Sequence, residues 1–172
     1  MHGTGELAVV SPVHRLTGDD VERYLKLRRQ GLVEARTAFR SALADDLKQS
    51  DESWRQRLER DFVVGVEARG TLAAIGGFAQ LTGAKVSHKG MIWGMYVAPE
   101  ARGTGAADQI MVALIAHART CVRQVQLTVS ADNHRARAFY VRHGFSDYGV
   151  EPQALLDEGE FLDEVLMWRL LA

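Results

Sequence analysis

The sequence lacks the residues that would divide it, staple it or anchor it. It has only three prolines in 172 residues and no Gly/Ser/Pro-rich stretch, so there is no linker at which the chain would split into two domains. The single cysteine, Cys121, excludes an internal disulfide and cannot build a zinc site alone. Its expected state is a small buried thiol, since no base beside it would make it a nucleophile. No segment approaches the roughly 20 apolar residues of a membrane-crossing helix. The opening Met1 to Glu6 has neither the basic nor the apolar part of a signal peptide. An excess of charge is missing too. The 21 Lys and Arg nearly cancel the 22 Asp and Glu, leaving no basic stripe for nucleic acid and no polybasic patch for a membrane surface. The expectation is one cytoplasmic globular domain over 13–172, preceded by a mobile segment 1–12, with neither nucleic acid nor membrane as partner.

A hydrophobic content of 47% is enough for a substantial core. Val9 to Leu16 reads as a strand. Thr17 and Asp20 then resemble a capping box, and Val21, Tyr24, Leu25, Leu27 and Leu32 give the next helix an apolar side. A second helix opens near Ser50, with Trp54 and Leu58 on one face. Phe62 to Val66, Leu72 to Leu81 and Met91 to Val97 read as strands, with Gly76-Gly77 marking a bulge. Arg102 to Thr120 is a helix, Val122 to Val129 a strand, Asn133 to His143 a helix closed by Gly144, and Phe161 to Leu170 a final strand. The order β-α-α-β-β-β-α-β-α-β-β predicts an α/β (α+β) domain with a mixed sheet.

Between the third of these strands and the helix after it lies Val97-Ala98-Pro99-Glu100-Ala101-Arg102-Gly103-Thr104-Gly105-Ala106-Ala107. A basic, glycine-rich turn at a helix N-terminus offers free N–H groups and the positive end of the helix dipole to a phosphate. The dinucleotide fingerprint fails here, because Asp108 stands where its third glycine belongs. A P-loop fails as well, for want of Gly-Lys-Ser/Thr.

Arg102, Gly105 and Ala107 instead match R-x-x-G-x-A, and Asn133 to Phe145 matches N-x-x-A-x-x-F-Y-x-x-x-G-F one helix and one strand later. On these two motifs, in this order, the chain resembles the GNAT superfamily of acetyl-CoA-dependent N-acyltransferases. The resemblance implies a mostly antiparallel sheet, flanked by helices and splayed at a cleft for acetyl-CoA. It implies that the backbone of Met95, Tyr96 and Val97 pairs with the pantetheine arm, and that the N–H groups of Arg102, Gly103, Thr104, Gly105, Ala106 and Ala107 hold the pyrophosphate. Asn133 matches a pantetheine contact, and Tyr140 matches the tyrosine that protonates the departing thiolate. An acceptor amine, on a small molecule or on a protein N-terminus or lysine, then attacks the thioester directly in a ternary complex. No metal is implied, and the protein would be a monomer or homodimer.

Several residues keep plainer readings. Asn133 also serves as an N-cap, and a tyrosine on an apolar helix face packs. The strand Met91 to Met95 lacks the glutamate that many family members use as base, leaving Glu67, His88, Asp132 or a water chain. That departure also keeps open a non-catalytic acyl-CoA-binding module. Arg135, Arg137 and Arg142 read first as a solvated basic face, and alternatively Arg135 or Arg137 would attract the CoA 3′-phosphate. His117 would complement a helix C-terminus. The acceptor site is implied between about Leu32 and Trp54 and the last strands, where Phe39, Arg40, Asp45 and Asp46 fall.

Overall fold

The computed structural model describes residues 9–171. The strands are β1 (His14–Leu16), β2 (Phe62–Ala68), β3 (Thr71–Gln80), β4 (Lys89–Val97), β5 (Gln124–Ser130), β6 (Ser146–Asp157) and β7 (Glu160–Leu170). The helices are α1 (Val21–Glu34), α2 (Leu43–Asp46), α3 (Asp51–Arg60), α4 (Ala106–Ala118) and α5 (His134–Arg142). One mixed sheet runs β1-β2-β3-β4-β5-β7-β6, and only the β4–β5 pair is parallel. Of the expected mobile segment, residues 1–8 lie outside the described residues. The strand expected from Val9 starts only at His14, although Val10 bridges to Ala68 and Ser11 donates its N–H to the Glu67 carbonyl at 2.8 Å.

Alternation fixes the faces. Val125, Leu127 and Val129 are buried along β5, and Ile110, Met111, Leu114, Ile115 and Ala118 form the buried stripe of α4. α4 covers β2, β3 and β4, while α1 and α3 pack on β2, β3 and β4 from the other side. Trp54, Leu58, Ile75, Ile110 and Leu114 are wholly enclosed, and each such side chain contributes about 1.5–3 kcal/mol by leaving water.

The Gly76-Gly77 pair does sit at a bulge, and the extra residue is on β4. Ile75 pairs with Tyr96 and Gly77 with Trp93, so Gly94 and Met95 together oppose Gly76. Gly94 takes φ +64°, a left-handed conformation that suits glycine and bends the strand. The bulge fits because β3 has no side chains there. A Cβ on Gly76 would stand 2.5 Å from Met95 Sδ, and one on Gly77 2.6 Å from the Trp93 ring.

β4 and β5 pair only at Lys89–Gln124, Gly90–Val125 and Met91–Gln126. Past the bulge they diverge and leave a cleft. α4 starts at Ala106 rather than Arg102, because Gly103 (φ +78°) and Gly105 (φ +84°) hold the preceding turn out of helical geometry. β6, an exposed edge strand interrupted by two register shifts, has too little alternation to be bounded from sequence.

Gly77→Ala should destabilise the fold by about 1–3 kcal/mol through overpacking against Trp93. A lowered urea midpoint with an unchanged slope, together with shifted tryptophan fluorescence, is the expected result.

Candidate active site

The cleft between the diverging halves of β4 and β5 has a volume of about 480 Å³. Met95, Tyr96 and Val97 line it from β4, the 101–108 turn closes one end, and Asn133, Ala136, Phe139 and Tyr140 line it from α5. All ten residues expected to hold a cofactor are therefore at this turn, on this strand end or at the start of α5.

The backbone of the turn splits into two sets. Arg102 N–H donates to the Pro99 carbonyl (3.2 Å), Thr104 N–H to Ala101 (3.4 Å) and Ala106 N–H to Thr104 Oγ1 (3.4 Å). The N–H groups of Gly103, Gly105, Ala107 and Asp108 have no protein acceptor among the described residues. A Cβ on Gly105 would meet nothing within 4 Å, so this stretch of backbone is open to close approach. Arg135 and Arg142 also line the cleft, whereas Arg137 is turned to Asp147. Four free N–H groups at the N-terminus of a thirteen-residue helix, with two arginines nearby, can take a diphosphate.

The Arg102 side chain folds back on its own strand, its Nε donating to the Val97 carbonyl at 3.1 Å. Nearby, Tyr96 donates its hydroxyl to Glu34 Oε2 at 2.5 Å, linking the end of α1 to β4. That bond holds the Glu34 carboxyl below its usual range, while burial and the same carboxylate push the Tyr96 phenol up to about 12. Glu34 carries no signal in the sequence, since its partner lies 62 residues away.

Tyr140 is nearly enclosed, packed edge-on against Phe139 and Phe145, and burial pushes its phenol up to about 12. Its hydroxyl has no protein partner among the described residues. Asn133 is bifunctional in geometry. Its Oδ1 accepts the Ala136 N–H at 3.1 Å as an N-cap, and the residue also lines the cleft.

The other candidates fall elsewhere. Glu67 is tied to Arg23 on β2, His88 precedes β4 at the paired end of the cleft, and Asp132 does not line the cleft. His143 pairs with Asp108 at 2.8 Å. His117, in the last turn of α4, lies stacked on Phe62 at 3.8 Å, and burial lowers its pKa. Cys121 is exposed, contrary to the buried thiol expected of it. Among the described residues no cluster of three His, Cys, Asp or Glu side chains could hold a metal, and no helix is long and apolar enough to cross a membrane.

A second cavity, of about 310 Å³, lies between the 36–43 connection and the β6–β7 hairpin, with Phe39 and Arg40 in its wall. Asp45 and Asp46 do not line it. Asp45 is exposed beside Lys48. Asp46 is fully buried, accepting from Arg28 Nε at 2.6 Å and lying 3.3 Å from Arg29 Nε. The Arg28 guanidinium in turn sits 4.6 Å over Trp54, and Arg57 sits 3.9 Å over Trp93. Asp46 is thus spent on anchoring α2 to α1.

The model of the acetyltransferase (GNAT) family matches residues 29–145. An acetyltransferase of the GNAT family from Streptococcus pneumoniae superposes with a TM-score of 0.80 at 20% identity, covering 95% of this chain and 100% of that one. Ribosomal-protein-alanine N-acetyltransferase from Brucella melitensis gives 0.79 at 21%, covering 92% and 99%. The protein yncA from Salmonella typhimurium, whose structure holds its cofactor acetyl-CoA, gives 0.82 at 16%, covering 96% and 95%. Identities this low carry the fold alone. No curated protein matches the sequence.

Asp46→Ala should cost about 3–5 kcal/mol in urea unfolding, because Arg28 would be left buried and unpaired. Asp45→Ala, at an exposed position, should stay within about 0.5 kcal/mol of the parent.

Proposed function

The chain belongs to the acetyltransferase (GNAT) family, and from that premise we propose that it transfers an acetyl group from acetyl-CoA to a primary amine in a ternary complex. The observation that carries this reading is the meeting, in one cleft, of four free N–H groups at the start of α4 with an unpartnered phenol at Tyr140. Gly103, Gly105, Ala107 and Asp108 would hold the diphosphate through their N–H groups, and Arg135 and Arg142 would supply countercharge. Beyond Met91, the edge of β4 that faces β5 has no strand partner, and it can take the amide groups of a pantetheine arm as a short added strand. The Val97 carbonyl is already bonded to Arg102, and Tyr96 is paired with Ile75 of β3, so an added strand would draw mainly on Met95 and the Val97 N–H.

The bound thioester supplies an activated acyl group, and the protein supplies position and a proton. Holding the amine against the thioester turns an encounter in solution into a step within one complex. Tyr140 keeps its proton across the neutral range, because burial disfavours the phenolate, and it donates to the sulfur as the C–S bond breaks. Asn133 positions the arm from the opposite wall while capping α5. Of the carboxylates, Asp108 lines the cleft, and it is paired with His143. The amine therefore gives its proton to water, and only the neutral amine attacks.

The test is a panel of amines with acetyl-CoA, scored by free thiol. Acetyl-CoA binding without transfer to any amine would replace the enzyme reading with that of an acyl-CoA-binding module. Tyr140→Phe should lower kcat by roughly 10²-fold while leaving acetyl-CoA affinity nearly unchanged. An unchanged kcat would remove Tyr140 from the acid role. Because the raised pKa keeps the protonated form present to higher pH, kcat should show no descending limb near 10, the ordinary phenol value. By contrast, kcat/KM should rise with pH up to the acceptor's own pKa. Gly105→Val, which forces a β-branched residue to φ +84° beside the cradle, should weaken acetyl-CoA binding at least about tenfold by calorimetry.

A further inference from the structure

The second cavity says what kind of amine fits, if the transferase reading above holds. We propose that the acceptor is a small amine whose only charge is the amine itself and whose side group is apolar, seated between the 36–43 connection and the β6–β7 hairpin. Leu32, Phe39, Leu43, Leu155 and Leu162 supply the wall. The cavity and the cleft are linked through neighbouring and touching wall residues. Ala35 lines the cleft and Arg36 the cavity, and Phe39 packs on Tyr96 with ring centroids 6.3 Å apart. At about 310 Å³ it stands at the small end of ligand pockets, which suits a compact molecule.

Charge decides the class. Two arginines reach this region, and each is already held by two carboxylates of the hairpin or β7. Arg36 pairs with Asp157 at 3.0 Å and with Glu158, and Arg40 pairs with Glu164 at 2.6 Å and Glu151 at 2.7 Å. A polyamine would need a carboxylate with no partner, and Asp157, Glu151 and Glu164 are all engaged. An acidic or phosphorylated acceptor would need a free guanidinium, and neither arginine offers one. The carboxylates that the sequence placed here, Asp45 and Asp46, are outside the wall. A charged side group would therefore enter without a partner, and its desolvation would not be repaid. An apolar group gains with each methylene it buries.

The test uses n-alkylamines from ethyl to hexyl, with 1,6-diaminohexane and glutamate as charged comparators, under saturating acetyl-CoA. Burial predicts a rise in kcat/KM of about three- to fourfold per methylene until the cavity fills. Hexylamine should exceed 1,6-diaminohexane and glutamate at least tenfold. Leu162→Asp, checked for folding by retained acetyl-CoA binding, should lower hexylamine turnover and raise that of the diamine. Arg36→Gln, at an exposed position, frees Asp157 and should move the preference the same way should Leu162→Asp fail to fold. Hexylamine binding in the presence of CoA, followed by calorimetry, separates the two readings. Binding with the same chain-length slope but no acetylation leaves the cavity assignment standing and removes the transferase. Acetylation with a flat slope, or with the diamine or glutamate preferred, overturns the cavity assignment and leaves the transferase. Neither binding nor turnover of any alkylamine overturns the cavity assignment, and the wider amine panel then decides the transferase.

Discussion

The parting of β4 from β5 after Met91 is the constraint on which the rest of the molecule depends. Three residue pairs hold the two strands in parallel, and then the bulge at Gly94 and Met95 turns β4 away. A sheet that stayed zipped would have no cleft, and the start of α4 would face packed side chains. The bulge requires bare backbone opposite it on β3, which Gly76 and Gly77 supply, and a left-handed residue within it, which Gly94 supplies. Three glycines far apart in role thus open one gap.

An open gap must be braced, since unpaired strand edges are soft. The bracing comes from α1 and α3. Tyr96 reaches across to Glu34, and its ring lies where a Cβ on Gly31 would stand at 2.9 Å, so the helix accepts a glycine to let the strand in close. Behind Trp93 the guanidinium groups of Arg57 and Arg28 alternate with indole faces, and Asp46 neutralises Arg28. The arrangement carries a cost. The Tyr24 hydroxyl and the Trp54 and Trp93 indole nitrogens are buried without a hydrogen-bond partner among the described residues. Stacking and apolar burial evidently outweigh that loss.

What was legible in the sequence was what is local. The capping of α5 by Asn133, closed within three residues, and its termination at Gly144 (φ +78°) follow from spacing alone. The turn before α4 was legible as a glycine-rich turn at a helix start for the same reason. Its boundary was not, because glycines read as helix until their φ angles are known. Nor was the division of its N–H groups, which alternate between internal and free. Tyr96 with Glu34, and Arg40 with Glu164, are joined across 62 and 124 residues, and pairs that remote leave no periodic trace. Asp46 misled for a related reason. A carboxylate in a polar stretch looks solvated until its arginine, eighteen residues earlier, is folded over it.

The two arginines that clasp the hairpin lead to one further point. The side of the molecule that holds the cleft is fixed by contacts that reach into the core: glycines under a bulge, a helix start, a phenol among aromatic rings. The side that holds the second cavity is fixed by ion pairs at its rim and by side chains such as Leu155, Leu156 and Leu162, which remain partly or largely exposed. Replacing core residues costs stability at once, whereas replacing rim residues costs little. The lining of the second cavity can therefore change by drift along a single hairpin, with the cleft left untouched.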